Sequence, residues 1–244
     1  MCGIAGLIST DPDTRIEAML NCIEHRGRDD QGVWTSSQIN SDGHRVCFGH
    51  RRLSIIDTSS AGHQPMLSAD GRFVLILNGE IYNYRELREQ LTTKGHQFRT
   101  HTDTEVLLAA WAEWDEQSLT KLNGMFAFAL WDNKERKLFL VRDRVGIKPL
   151  YYGQGQNPDR QGRQPLLAFA SEIKSILAAE FIKPELDTES LHQFLTFLWA
   201  PDPNTLFRGI KTVPPGHLVE WRDGEIAIRQ WWDISFNEID EERT

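Results

Sequence analysis

The stretch Met1-Cys2-Gly3-Ile4-Ala5-Gly6 opens the chain and puts a cysteine directly behind the initiator methionine. Because a residue as small as cysteine permits removal of the methionine, we expect the mature chain to begin at Cys2. That residue then carries a thiol nucleophile and a free α-amine, whose unperturbed pKa of about 7.7–8.0 makes it a proton acceptor at neutral pH. The apolar run behind it predicts a buried strand. The alternative is that Cys2 is an inert small hydrophobe, since a free cysteine is usually just buried.

The composition is that of an ordinary globular protein. The 244 residues are 40% hydrophobic and 25% charged, enough for one large or two modest domains. The net charge of −8 argues against a nucleic-acid partner, and no apolar run is long enough to span a membrane. The spacings of Cys2, Cys22 and Cys47 fit neither a disulfide framework nor a zinc site. We therefore expect a cytoplasmic, reducing setting and no bound metal.

Hydrophobic periodicity predicts an interleaved series of helices and strands. Helices are predicted at Arg15–Glu24, Tyr84–Gly95, behind the capping box Thr102-Asp103-Thr104-Glu105, at Ser171–Ala179 and behind Asp187. Strands are predicted at Arg45–Ile56, at Arg72–Ile76 up to an Asn78-Gly79 turn, in the hairpin Gly124–Asp132 and Lys137–Asp143, at Leu166–Ala170, and around His217–Trp221 and Ile226–Trp231. Asn157–Gln164 is predicted as a surface loop. Strands outnumber helices, which favours a layered α+β domain.

The character of the sequence changes near residue 186. Four prolines, at positions 201, 203, 214 and 215, follow the helix that Asp187 is predicted to cap, and the chain ends in an acidic stretch. We predict one domain over residues 2–186. Residues 187–244 are predicted to be a connector that packs on this domain and then leaves it.

The chemistry of amide cleavage suggests roles for two residues of the predicted turn. A thiolate that attacks an amide needs hydrogen-bond donors for the oxyanion that develops on the carbonyl oxygen. The Asn78 side-chain amide and the Gly79 N–H would supply two such donors. The alternative is a plain hairpin turn, for which Asn-Gly is a common signal.

Two charged residues complete a candidate site for an α-amino acid. Two adjacent arginines inside an apolar strand are a local conflict, and Arg52 is a candidate fork for a substrate carboxylate or else a solvated strand residue. Asp103 is a candidate partner for a substrate ammonium, or else an acidic residue that the helix N-terminus favours. With an amide-cleaving Cys2, this set describes a site for glutamine.

Ordered strings along the chain resemble a class II glutamine amidotransferase domain, and more narrowly the glutaminase half of glutamine-hydrolysing asparagine synthetases. The strings are MCGIAGL, HRG-x-D, FGHRRLSIID, GHQP, LNGEIYNY, TDTEVLL, LNGMFAFALWD, RDRVGIKPLYY and FASEIKSIL. The resemblance covers Cys2 to about Leu177 and resumes at 201–217, which is similar to the connector before the synthetase domain of these enzymes.

The resemblance implies an N-terminal-nucleophile fold, a four-layer αββα stack with two antiparallel sheets between helical layers. It implies that Cys2 is the nucleophile, that its own α-amine is the base, and that a γ-glutamyl thioester forms before water frees glutamate. The remaining implied site residues are Asn78 and Gly79 for the oxyanion, Arg52 for the α-carboxylate, Asp103 for the α-ammonium, and Leu53, Ile55, Ile56 and Glu80 along the pocket.

Two departures from the family pattern stand out. The usual HRG-Pro-Asp reads His25-Arg26-Gly27-Arg28-Asp29, which removes a rigid φ and adds a charge to the loop. No Ser-Gly-Gly-x-Asp-Ser phosphate loop occurs in the 244 residues, so the chain is expected to hold no cofactor of its own. ATP and Mg²⁺ are expected only in a synthetase domain, in cis or in trans. The acidic end behind the connector favours a piece of a longer protein over a naturally short one.

Three functions remain open on the sequence. The first is a glutaminase that feeds ammonia to an asparagine-forming synthetase. The second is a glutaminase that serves another acceptor, such as a sugar acid. The third is an interaction module that has kept the fold without catalysis, against which the complete set of Cys2, Arg52, Asn78 and Asp103 argues. The expected partners are L-glutamine, a synthetase domain and a second copy in a homodimer, with neither nucleic acid nor membrane.

Overall fold

A computed structural model describes residues 1–37, 39, 43–155 and 166–235 and contains two antiparallel sheets. In spatial order the first sheet is β10 (Ile210–Thr212), β8 (Tyr151–Gly155), β9 (Leu166–Ala170), β1 (Gly3–Ser9), β3 (Arg45–Arg52) and β2 (Asp30–Thr35). The second is β12 (Glu225–Gln230), β11 (His217–Arg222), β7 (Lys137–Arg142), β6 (Gly124–Asp132), β5 (Phe73–Ile81) and β4 (Met66–Leu67). The helices are α1 (Pro12–Cys22), α2 (Tyr84–Thr93), α3 (Asp103–Trp114), α4 (Ser118–Lys121), α5 (Ile173–Leu177) and α6 (Thr188–Phe197).

Three clusters of buried side chains show how these elements are layered. Alternate residues of a strand point to opposite faces, so Ile4 and Ile8 of β1 lie in the cluster between the sheets while Ala5 and Leu7 contact α1 and α5. In β6, Ala127 faces the other sheet, and the phenylalanines beside it pack against α2 and α3. The order is helices, sheet, sheet, helices. This confirms the predicted four-layer αββα fold.

Most predicted elements are confirmed, with helix ends shifted by no more than three residues. Half of the predicted capping box is present: the Thr102 hydroxyl accepts a hydrogen bond from Glu105 N at 3.2 Å, and Asp103 begins α3. The Glu105 carboxylate accepts from Arg99 N and Thr100 N rather than from Thr102 N. The Asp187 carboxylate caps α6 by accepting from Ser190 N at 2.9 Å. The hairpin β6–β7 forms with Trp131 opposite Leu138. These elements depend on local signals, which explains why the sequence predicts them well.

Two predicted boundaries are wrong. The Asn78-Gly79 pair is not a turn, because β5 continues to Ile81 and pairs Asn78 with Ala127 of β6. The strand predicted over Arg45–Ile56 ends at Arg52. Its neighbours β1 and β2 both begin there, since Gly3 lies opposite Arg51 and Asp30 lies opposite Arg52, so no strand is left to pair with the residues beyond.

The segment predicted as a connector contributes three strands to the two sheets. β10 pairs with β8 in the first sheet, and β11 pairs with β7 in the second, so this part of the segment packs on the main domain as expected. The predicted division at residue 186 stays a prediction. The predicted loop Asn157–Gln164 and the acidic end lie outside the described residues. No helix in the described ranges is both long and apolar enough to cross a bilayer.

Candidate active site

Cys2 lies immediately before β1, at the edge of the space between the two sheets. Cys2 lies two residues before Ile4 and six before Ile8, on the face of β1 that these residues share, so its side chain turns toward the second sheet. The Sγ atom accepts a hydrogen bond from Leu53 N at 3.4 Å and lies 3.5 Å from Leu53 O. Met1 is 58% exposed. The backbone that follows β3 therefore supplies a donor to the thiol.

The ionisation of the Cys2 thiol is governed by opposing effects. Burial raises its pKa above the ordinary value for cysteine, and this effect is the largest. The hydrogen bond from Leu53 N–H and the charges of the chain's N-terminus and of Arg52 lower the pKa. The Glu80 carboxylate raises it further. A proton acceptor beside the thiol is therefore needed to generate a thiolate at neutral pH.

The HRG motif holds the backbone of Cys2. Arg26 Nε donates to Cys2 O at 2.9 Å, and Arg26 Nη1 pairs with Glu172 Oε1 at 2.9 Å. The His25 ring contacts the same carboxylate oxygen at 2.9 Å. Arg28, in the place of the usual proline, has an exposed side chain. Cys2, the residue before β1, is thus anchored through one ion-paired arginine to Glu172, the residue before α5.

The outer edge of β5 presents its backbone to the cleft. The Phe126 N–H donates to Asp143 Oδ2 at 3.2 Å, and the Phe126 carbonyl accepts from Asp143 N at 2.8 Å, so both backbone groups of Phe126 point away from β5. Gly79 lies opposite Phe126 in a pair without hydrogen bonds, and its N–H therefore points away from β6. Leu77 and Ile81, two residues to either side, donate at that edge to side chains, at 2.6 Å to Gln64 Oε1 and at 2.9 Å to Asp103 Oδ2. Among the described residues, β4 covers the edge only as far as Leu75. The Gly79 N–H therefore faces the open side of the strand.

Asn78 points the other way, into the space between the sheets. It is 1% exposed, and neither its Nδ2 nor its Oδ1 has a hydrogen-bond partner among the described residues. An unpaired buried amide costs about 1–3 kcal/mol, so such a group calls for an explanation. Glycine is required next to it, since a Cβ on Gly79 would lie 2.2 Å from Met125 O. The pair is therefore part of β5 and not a turn, with the Gly79 N–H at the open edge and the Asn78 side chain between the sheets.

Arg51 and Arg52 point to opposite faces of β3. Arg51 Nε donates to Leu20 O at 3.2 Å at the end of α1, on the outer face of the first sheet. Arg52 is 5% exposed and faces the cleft, where Nη1 donates to Ser59 O at 2.8 Å and Nη2 to Asp57 O at 2.5 Å. These loop carbonyls bond Nη1 and Nη2 of Arg52 and do not bond its Nε. The fork therefore holds the 56–59 loop as well as facing the cleft.

Two carboxylates, Glu80 and Asp103, line the cleft beside the edge of β5. Asp103 is 5% exposed, and burial raises its pKa against the hydrogen bonds from backbone N–H groups that lower it. Burial raises the pKa of Glu80 to about 7, and the Asp103 charge acts in the same direction while Lys148 opposes it. A cleft with two such acids is suited to a cationic group, which would relieve both.

The structure brings the predicted site residues together. One cleft is lined by Cys2, Arg52, Leu53, Ile55, Ile56, Gly79, Glu80 and Asp103. Asn78 lies behind this lining. The same cleft contains Gln64, Thr104 and Gly62, which the sequence analysis gave no role although Gln64 belongs to the quoted GHQP string. In the described part of the chain, no three His, Cys, Asp or Glu side chains are grouped so as to hold a metal ion.

Comparison with known proteins places the chain in a family. The family model of the glutamine amidotransferase domain matches residues 1–232. Asparagine synthetase [glutamine-hydrolyzing] 1 of Bacillus subtilis (strain 168) is 38% identical, over 99% of this chain and 37% of the relative. A putative asparagine synthetase of Mycobacterium tuberculosis is 39% identical over 92% of this chain, and amidase chry2 of Gibberella zeae is 35% identical over 97%. The chain spans about 37% of the first of these relatives.

Solved structures share the fold at low sequence identity. Glutamine phosphoribosylpyrophosphate amidotransferase from B. subtilis, complexed with ADP and GMP, matches with a TM-score of 0.66 and 20% identity over 97% of this chain and 50% of that one. An allosteric regulatory enzyme of purine biosynthesis matches with a TM-score of 0.68 and 19% identity. With a family match over residues 1–232 and relatives above 30% identity over more than nine-tenths of its length, the chain belongs to the glutamine amidotransferase domain family, and its homologues include glutamine-hydrolysing asparagine synthetases.

Proposed function

We propose that this domain hydrolyses glutamine at Cys2 and supplies the ammonia to an acceptor carboxylate that ATP activates in a synthetase domain. The observation that carries the proposal is the cleft itself. The Cys2 thiol, which accepts from Leu53 N–H, shares the cleft with the open strand edge at Gly79, while the Asn78 amide is buried without partners. These are the parts that cleavage of an amide by a thiolate requires.

Charged groups at the other end of the cleft suit the amino-acid half of glutamine. Its ammonium fits between Asp103 and Glu80, whose raised pKa values favour a cationic guest. Its carboxylate fits Arg52 once the guanidinium exchanges a loop carbonyl for the ligand. The loop 53–56 then covers the substrate, since Leu53 and Ile55 line the same cleft. The side-chain amide is left to reach Cys2.

The proposed reaction has two halves. In the first, the Cys2 sulfur attacks the amide carbon, the α-amine that methionine removal frees takes the thiol proton, and that proton leaves with ammonia. The oxyanion is stabilised by the Gly79 N–H and the Asn78 amide. In the second half, water attacks the resulting γ-glutamyl thioester. Glutamate is released, and the sulfur regains its proton.

The acceptor is assigned from the relatives. Relatives matched over 99% and 96% of this chain carry the name asparagine synthetase, which favours aspartate activated by ATP and Mg²⁺ in the partner domain. One relative carries a different name, amidase chry2, and another acceptor, such as a sugar acid, is kept as the alternative. Exposed apolar residues along and behind α6 support a partner domain on that face: Leu195, Phe197, Leu198 and Trp199. Free thiols at all three cysteines support a reducing, cytoplasmic setting, and a homodimer remains part of the proposal.

Steady-state kinetics of glutamine hydrolysis test the proposal. Cys2→Ala should abolish ammonia release and leave glutamine binding in place, because the charged anchors do not involve the thiol. Asn78→Ala should lower kcat by roughly 10²–10³-fold with little change in KM, the usual cost of losing one oxyanion donor. Wild-type kcat in Asn78→Ala would remove the oxyanion assignment, and a catalytically active Cys2→Ala protein would contradict the proposed function.

A further inference from the structure

The backbone of Leu77, one residue before Asn78, is held by two buried side chains. Its N–H donates to Gln64 Oε1 at 2.6 Å, and its carbonyl oxygen lies 3.1 Å from His50 Nε2. Because a carbonyl oxygen only accepts, the His50 Nε2 must carry the hydrogen. Burial lowers the pKa of His50 to about 4, so its ring is neutral at pH 7. Within the described residues, β4 pairs with β5 only as far as Leu75, and at Leu77 the Gln64 and His50 side chains make the backbone hydrogen bonds that a neighbouring strand would make.

The NH₂ group of Gln64 is linked through Thr104 to Asp103, the carboxylate proposed to bind the substrate ammonium. Gln64 Nε2 donates to Thr104 Oγ1 at 3.3 Å, and Thr104 Oγ1 lies 3.4 Å from Asp103 Oδ1. The donor and the acceptor in each of these hydrogen bonds follow from the chemistry of the groups. Since Leu77 N–H can only donate, the oxygen of the Gln64 amide faces Leu77 and its NH₂ group faces Thr104. The Thr104 hydroxyl, having accepted, turns its own hydrogen to Asp103.

Burial shields this series of hydrogen bonds from water and keeps it rigid. Gln64 is 5% exposed and Thr104 is 3% exposed, so water does not compete for these hydrogen bonds. The other Asp103 oxygen accepts from Ile81 N at 2.9 Å, at the same strand edge. The edge of β5 and the first turn of α3 are therefore joined at two points, on either side of Gly79.

We propose that Gln64 is a positioning residue for glutamine hydrolysis, and that its single amide aligns the oxyanion donors of β5 with the ammonium-binding carboxylate of α3. This inference rests on the proposed function. Gln64 acts through Leu77 on the Asn78-Gly79 edge, and through Thr104 on Asp103. Loss of its oxygen should chiefly affect the chemical step, while loss of its NH₂ group should chiefly affect substrate binding.

Three substitutions separate these two actions. Gln64→Met removes both hydrogen bonds at similar length, and should lower kcat by up to roughly 10²-fold, as small misplacements of catalytic groups do, and also raise KM for glutamine. Gln64→Glu keeps an acceptor for Leu77 N–H but cannot donate to Thr104, so it should recover most of kcat and keep the raised KM. Thr104→Val should raise KM with kcat changed by no more than about twofold.

Ser175→Ala is the matched control, because Ser175 is also fully buried and its hydroxyl donates to Met19 O at 2.9 Å in the α1–α5 layer, away from the cleft. All variants are compared at equal folded fraction by circular dichroism. The proposal is supported if Gln64→Met loses kcat and raises KM, Gln64→Glu recovers kcat alone, and the control keeps both values.

Two results would overturn the proposal. One is a Gln64→Met protein as active as the control, or, if that variant does not fold, a Gln64→Glu protein with wild-type KM. The other is a Thr104→Val protein with unchanged KM. In either case hydrolysis by the unsubstituted chain would leave the proposed function intact. No hydrolysis by the unsubstituted chain would instead overturn the proposed function, and the role of Gln64 with it.

Discussion

Glu80 and Asp103 share a cleft in which both ionise reluctantly. Burial raises the pKa of Glu80 to about 7, with the charge of Asp103 acting in the same direction. Near neutral pH the free site therefore holds a proton on about half of the Glu80 side chains. An ammonium bound between the two carboxylates favours their charged forms, so substrate binding should release that proton.

Glutamine binding should consequently tighten as the pH rises through the pKa of Glu80. Below pH 7 most Glu80 side chains are neutral and attract the substrate ammonium only weakly. Above pH 7 most are ionised, and the carboxylate attracts the ammonium strongly. Titration calorimetry on the Cys2→Ala protein, at about pH 6 and about pH 8, on either side of the pKa of about 7, measures the effect without turnover. Glu80→Gln should flatten the pH dependence. Equal slopes in the two proteins would show that Glu80 does not face the ammonium.

The adjacent arginines should behave differently because their side chains lie on opposite faces of β3. Arg52→Ala should raise the KM for glutamine more than it lowers kcat, since the carboxylate it is proposed to bind is remote from the reacting carbon. Arg51→Ala removes contacts to Leu20 O and Asn21 Oδ1 at the end of α1, and should leave both constants near wild type. Steady-state kinetics compare the two variants. A critical Arg51 and a silent Arg52 would reverse the assignment.

The strand β5 shows what local sequence could and could not predict. Asn-Gly is a turn signal, yet here both residues pair with β6, and the decisive contact is with Ala127 and Phe126, far along the chain. The end of β3 at Arg52 likewise depends on where β1 and β2 begin. Both features depend on contacts between residues far apart in the sequence, which a local sequence pattern does not contain. The N-cap of α3 at Thr102, which is a local signal, was predicted correctly and puts Asp103 at the helix start.

The caps of α3 and α6 form a matched pair of tests. Thr102 and Asp187 each accept one backbone hydrogen bond at a helix N-terminus, and replacing either by alanine should cost about 1 kcal/mol of stability. Only α3 carries a proposed substrate-binding residue. Thr102→Ala should therefore raise the KM for glutamine, and Asp187→Ala should not, although thermal denaturation shows similar losses. A raised KM in both variants would point to general destabilisation instead.

The cleft exists only when both sheets are stacked. Cys2, His50 and Arg52 come from the first sheet and its flank, whereas Asn78, Gly79 and the adjoining edge come from the second. The resemblance to amidotransferases identified most of these residues, because their strings are distinctive. It gave no role to Gln64, since a single glutamine in the GHQP string carries no sign that its amide joins a strand edge to a helix.

The central claim is that Cys2, as the first residue of the mature chain, attacks the glutamine side chain. Peptide mapping by mass spectrometry tests it most directly, after reaction with a glutamine analogue that bears an electrophilic diazoketone in place of the amide. Cys22, half buried, and Cys47, buried, are internal controls. We predict one adduct, on a peptide that begins at Cys2, and its suppression by excess glutamine. An adduct confined to Cys22 or Cys47, a labelled peptide that retains Met1, or labelling that glutamine does not suppress would contradict the account.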